Sequence, residues 1–215
     1  MENQEIQNQT SDTADLSQEK DYEFGYESVE QTFSKNLFPT YFNSYQCPDI
    51  EKIRIDLIKL LDSSDKTEDD YVHDIMLLDH PAVNRLKQII YEICDTLPYF
   101  QGDNARSPVI SSSIPFFQQK FEHVPLHSYE FTPLVFTVIL NVGEQAPSVY
   151  FADTRGSVQT LRQTVSQNLV GTGFSFKSRI GEIQVSPGYV QRYVETNLDD
   201  YTHVALNVQV GFSNF

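Results

Sequence analysis

Among the imidazoles and guanidiniums in the second half of this 215-residue chain, His127, Arg155, Arg192 and His203, together with the carboxylate of Asp153, are the ones whose types and placement could do chemistry. Two imidazoles and one carboxylate on a common face can hold a divalent transition metal and leave coordination positions open. His127 (or its neighbour His123), Asp153 and His203 supply those donors on paper. Two strands and a long loop separate them, and nothing in the spacing fixes a common face. An imidazole packed or hydrogen-bonded on a sheet is the more ordinary case. Arg155 and Arg192 could together form an anion pocket, although in a chain with thirty acids each is first expected to pair with a carboxylate. Ser112, His127 and Asp153 have no nucleophile turn to make them a hydrolase triad. No Gly-rich phosphate loop, GxSxG or HExxH is present. Cys94 falls on the apolar side of a helical pattern, which makes it a poor nucleophile.

The elements that must position these groups are mostly strands. Residues 181–210 read as three of them, Glu182–Ser186, Val190–Thr196 and His203–Val210, separated by Pro187-Gly188 and Asn197–Asp200 turns. Ile183 and Val185 share one face of the first, and Val204, Leu206, Val208 and Val210 one face of the last. Upstream, Val109–Ile114, Phe116–Glu122, Leu134–Val142, Ser148–Ala152 and Phe174–Arg179 have strand character. Two amphipathic helices precede them. One covers about 49–62, with Ile50, Ile53, Leu57, Leu60 and Leu61 on its apolar face. The other covers about 80–97, capped by Asp79 and burying Ala82, Leu86, Ile89, Ile90, Ile93 and Leu97. Asn36–Ser44, broken by Pro39, suits an edge strand. The acidic stretch 63–74 reads as a solvated loop, and 155–173 as a loop or short helix.

The expected architecture is mainly β (α+β): a double-sheet jelly roll over residues 37–215, with two N-terminal helices packed on it. Residues 1–36 form an extended polar arm. It carries nine acids against one Lys through Glu30, too little apolar surface to order on its own. Tyr22, Phe24, Tyr26, Val29 and Phe33 are its natural anchors on a partner surface. A net charge of −15 opposes binding to nucleic-acid phosphates and to anionic membranes. Cys47 and Cys94 show no CxxC spacing and fit buried thiols in a reducing compartment. Neither a signal peptide nor an apolar run of membrane-spanning length is evident, so a cytoplasmic origin is expected.

Taken in order, several stretches resemble the iron(II)/2-oxoglutarate oxygenases common in bacteriophage genomes. They are Leu37-Phe38-Pro39-Thr40, then His127-Ser128-Tyr129 leading into Val135–Asn141, then Phe151-Ala152-Asp153-Thr154-Arg155. Gly181-Glu182, Pro187 and Tyr189-Val190-Gln191-Arg192 follow, with His203 on the last strand. The resemblance covers roughly residues 36–212 and implies the double-stranded β-helix fold. It also implies that Tyr129 and Arg192 stand where the family has metal-ligating His, and that His203 falls near the position of the cosubstrate-binding Arg. Only His127 keeps its register. A phenol and a permanently protonated guanidinium do not replace two imidazoles, so the expected cofactor set is none.

The expected function is therefore a non-catalytic assembly protein on a degenerate oxygenase scaffold. The family's setting makes it a bacteriophage virion component (tail, neck or baseplate), present in several copies and bound to neighbouring subunits through the arm and sheet surfaces. The alternative is an active Fe(II)/2-oxoglutarate oxygenase with a rearranged set of His127, Asp153 and His203.

Overall fold

A computed structural model describes residues 30–37, 40–64, 74–101, 106–129, 131–152 and 173–213. Asp153, Arg155, Tyr22, Phe24, Tyr26 and Val29 lie outside the described residues.

Ten strands make two antiparallel sheets. They are β1 Glu30–Leu37, β2 Thr40–Gln46, β3 Pro108–Gln118, β4 Val124–His127, β5 Leu134–Asn141, β6 Ser148–Ala152, β7 Gly173–Lys177, β8 Glu182–Pro187, β9 Gln191–Val194 and β10 His203–Phe212. The large sheet runs β1-β2-β8-β5-β10-β3, and the small one β4-β9-β6-β7. Phe42 of β2 packs edge-on against Phe151 of β6 at 4.2 Å and stacks on Phe176 of β7 at 5.7 Å, so the two sheets face each other. This is the jelly roll expected from the alternating segments.

The segments 182–186, 190–196 and 203–210 are indeed strands. Yet β9 lies in the small sheet while β8 and β10 lie in the large one, with β5 between them. Each turn therefore crosses from sheet to sheet. The physical reason is burial on both faces: every residue of β8 is buried, which a two-stranded hairpin cannot provide.

Helices α1 (Pro48–Ser64) and α2 (Pro81–Cys94) cover the outer face of the large sheet. Ile50, Ile53, Leu57 and Leu61 of α1 and Leu86, Ile89, Ile90 and Ile93 of α2 share one core with Phe136, Val138, Ile183, Leu206 and Val208. Truncating one such side chain to Ala typically costs about 2–5 kcal/mol. Cys47 and Cys94 are free thiols in this layer, and burial pushes the Cys94 thiol up to about 12.

Several boundaries depart from the sequence reading. Residues 30–36, placed in the arm, form most of β1, which pairs with β2 from Glu30↔Gln46 to Leu37↔Thr40. Residues 40–44 belong to β2, which is interior because β1 and β8 flank it. Val109–Ile114 and Phe116–Glu122 are one strand, β3. Pro115 does not interrupt it, because β3 is the edge of its sheet and one side of it needs no ladder donor. Asp79 does not cap α2; His80 does, its Nδ1 accepting from the Ala82 amide at 3.2 Å. Asp79 instead accepts from Asn84 Nδ2. Asp49 sits in the first turn of α1, fully buried, where Arg85 of α2 donates to one of its oxygens through Nε at 2.9 Å and Nη2 at 2.5 Å.

Candidate functional site

The site lies between the sheets, on the face opposite the helices. Alternation along β5, β8 and β10 sends Phe136, Ile183, Leu206 and Val208 outward to the helices and the intervening residues inward. Among those inward residues Ser44, Gln184, Thr137 and Asn207 are successive register partners across β2, β8, β5 and β10. A polar row thus crosses the floor of the barrel.

Arg192 of β9 reaches down to this row from the opposite sheet. Its Nη1 donates to Thr137 Oγ1 at 2.7 Å and to Asn207 Oδ1 at 3.3 Å, and the Thr137 hydroxyl donates to Asn207 Oδ1 at 2.7 Å. The guanidinium lies over the Tyr129 ring, 4.5 Å from its centroid, a cation–π contact worth up to about 2 kcal/mol when desolvated. Only 3% of Arg192 is exposed. Burial lowers its pKa to about 10, with the Tyr129 phenol acting in the opposite sense, so it stays protonated at neutral pH. Nε and Nη2 have no partner among the described residues. Among the described residues the expected pairing with an acidic neighbour is therefore absent for Arg192. Glu182, the acid on the inward face of β8, is held by Ser44 Oγ at 2.5 Å, and it does not line the cavity beside Arg192.

His127 is the register partner of Arg192 at the end of β4. Its Nδ1–H donates to the Pro125 carbonyl at 2.9 Å, which leaves Nε2 as the bare nitrogen. Burial, helped by the Arg192 charge, lowers its pKa. The ring of Tyr129 meets that of His127 edge-on at 5.5 Å. Tyr129 is fixed from below, its amide donating to the Gly188 carbonyl at 2.8 Å. A Cβ at Gly188 would stand 2.2 Å from the Thr132 carbonyl oxygen and 2.5 Å from that of Tyr129. Only glycine allows this approach.

His203 opens β10. Its Nδ1 donates to Gln118 Oε1 at 3.1 Å. The orientation of that amide is set by its own nitrogen, which donates to the Glu195 and Glu122 carbonyls at 2.6 and 2.7 Å. Nε2 of His203 therefore carries a lone pair, and it is buried without a partner. Burial brings the His203 pKa down to about 4, so the ring is neutral. His127, Thr137, Arg192, His203 and Asn207, with apolar neighbours, line one cavity of about 20 Å³.

The structure thus brings together His127, Arg192, His203 and Tyr129. His123 is exposed; Asp153 and Arg155 lie outside the described residues. Phe33 lies in β1, and its side chain is not described. Thr137, Asn207 and Gln118 were missed by sequence reasoning. The available signal was a polar residue at one inward position of each apolar strand, Thr137 in LVFTVILN and Asn207 in HVALNVQV.

The described residues of the cavity do not by themselves fit a metal. Among the described residues no group of three His, Cys, Asp or Glu is placed to hold one, and the cavity wall carries a guanidinium with no carboxylate. A fixed cation repels a divalent ion and has no lone pair to offer it.

The fold defined by the two sheets is the jelly roll of the 2-oxoglutarate/iron(II) oxygenases. AviO1 from Streptomyces viridochromogenes Tue57 superposes with a TM-score of 0.56 at 12% identity, covering 79% of this chain and 89% of that one. The non-heme alpha-ketoglutarate-dependent carbocyclase SnoK from nogalamycin biosynthesis gives 0.52 at 11%, covering 79% and 78%. HygX from Streptomyces hygroscopicus, solved with nickel and 2-oxoglutarate bound, gives 0.53 at 11%, covering 79% and 81%. At such identities the likeness is one of fold. No protein-family model and no curated protein matches the chain. Among the described residues no helix is long and apolar enough to cross a membrane.

Proposed function

We propose that this chain is a non-catalytic protein on an oxygenase-type jelly roll, used as an assembly or binding module. One observation carries the reading. The register partner of His127, where the sequence resemblance locates a second metal-binding imidazole, is a buried guanidinium held by Thr137, Asn207 and Tyr129. The virion setting, multiple copies and an adhesive N-terminal arm complete the proposal on the strength of the sequence resemblance and the composition of residues 1–29.

A second reading is favoured by a different observation. One neighbour is a non-heme alpha-ketoglutarate-dependent carbocyclase and another was solved with nickel and 2-oxoglutarate bound, and in this chain His127 and His203 line one cavity. On that reading Asp153 joins them as the carboxylate of a rearranged Fe(II) site, and 2-oxoglutarate is the cosubstrate. Thermal unfolding of the full chain with manganese or iron(II), with and without 2-oxoglutarate, separates the two, because a ligand that binds the native state raises Tm. The non-catalytic reading expects no rise. A rise that needs the metal, is enlarged by 2-oxoglutarate and is lost in His127→Ala would establish the second.

A further inference from the structure

Arg192 is a buried cation with an unused edge. Nη1 is committed to Thr137 and Asn207, and one ring face is covered by Tyr129. Nε and Nη2, which lie side by side along the same edge of the guanidinium, have no partner among the described residues. That pair of parallel N–H groups is the fork that takes a planar carboxylate. Arg85 aims the same Nε–Nη2 edge at a carboxylate elsewhere in the fold, both nitrogens donating to one oxygen of Asp49. An unbalanced buried charge is costly, and among the described residues no acidic side chain lines the cavity at Arg192.

The geometry points to a binding site for a small planar oxyanion, a carboxylate or bicarbonate, on the free Nε–Nη2 edge of Arg192 inside the barrel. The inference rests on the reading that no metal binds there. The ligand stands on the cation of β9, in place of a metal. The cavity is small, about 20 Å³, which favours an ion of a few atoms over a longer dicarboxylate. The lone pair on His203 Nε2 adds a preference for an oxyanion with its own hydroxyl hydrogen, which bicarbonate has and formate lacks.

The test is the Tm of the full chain at neutral pH in sodium formate, sodium bicarbonate or sodium chloride at equal ionic strength, with a manganese chloride arm. Arg192→Lys keeps the charge but removes the fork; Arg192→Met removes both. Formate or bicarbonate is expected to raise the wild-type Tm a few degrees above chloride, and both variants to lose that difference. Because a variant could unfold, line broadening of carbon-13 formate and bicarbonate by the folded wild type and Arg192→Lys gives a second readout. Response to formate assigns a small organic acid, and response to bicarbonate alone assigns the inorganic ion. Equal behaviour in chloride, or an oxyanion effect that survives in both variants, overturns the site. A rise with manganese would instead remove the underlying metal-free reading, whereas flat responses to both remove the oxyanion only.

Discussion

Arg192, Tyr129 and His127 converge within one or two ring diameters inside the barrel, with the Tyr129 ring 4.5 Å from the guanidinium and 5.5 Å from the imidazole. Backbone positions that bring three side chains this close could present three ligands to one metal, if their side chains were donors. The double substitution Tyr129→Asp with Arg192→His, retaining His127, supplies two imidazoles and a carboxylate. It is expected to gain manganese affinity measurable by calorimetry, while Arg192→His alone gains little. A double variant that folds and stays inert to manganese would show that these positions do not form a former metal site. His203 gives a pH prediction. Its pKa falls from an ordinary value near 6.5 to about 4 because burial disfavours the charged ring. A depressed folded-state value contributes stability that is complete above the unfolded pKa and is lost as pH falls from there through the folded one. Wild type should therefore lose roughly 3 kcal/mol on this account between about pH 6.5 and 4. Urea unfolding across that window should show a shallower loss in His203→Gln; parallel curves would mean the ring is not the titrating group.

At the scale of elements, the two helices are joined to each other by charge as well as by their apolar stripes. Asp49 in α1 is fully buried and accepts from Arg85 of α2, which also reaches Glu92. Breaking such a pair from one side leaves a charge unpaired, typically at a cost of about 3–5 kcal/mol. Asp49→Ala should lower the stability of the whole domain by about that amount in urea denaturation, and a change below about 1 kcal/mol would assign the pair to the surface class. The helices themselves were legible, since Leu86, Ile89, Ile90 and Ile93 recur at helical spacing and are all buried. So were the strands with unbroken alternation, such as β10. The short strand β4 was not, because four residues with Pro125 among them give too brief a pattern. Nor was the distribution of β8, β9 and β10 over two sheets, which depends on long-range pairing that alternation does not encode. The site divides the same way. His127, Arg192 and His203 stood out by residue type, while Thr137, Asn207 and Gln118 became visible only once cross-sheet contacts placed them beside a cation and an imidazole.

For the molecule as a whole, the helices and large sheet hold a deep apolar core, and the space between the sheets combines an apolar cluster around Phe42, Phe151 and Phe176 with a polar row and the Arg192 cation. On the proposal that the acidic segment before β1 is an adhesive arm, the framework folds without it. Removal of residues 1–29 should therefore leave a cooperative unfolding transition in place and abolish co-purification with assembly partners. Normal incorporation of the shortened chain would end the proposal of an adhesive arm. The central claim is the proposal that a guanidinium stands where the sequence resemblance locates a metal-binding imidazole, so that no metal binds. Titration of the full-length protein with manganese(II), followed by the electron paramagnetic resonance signal of the free ion, tests it most directly. The account predicts that the signal grows with added metal as it does in buffer, with or without 2-oxoglutarate. Loss of one equivalent of signal, restored when His127 and His203 are replaced, would contradict it.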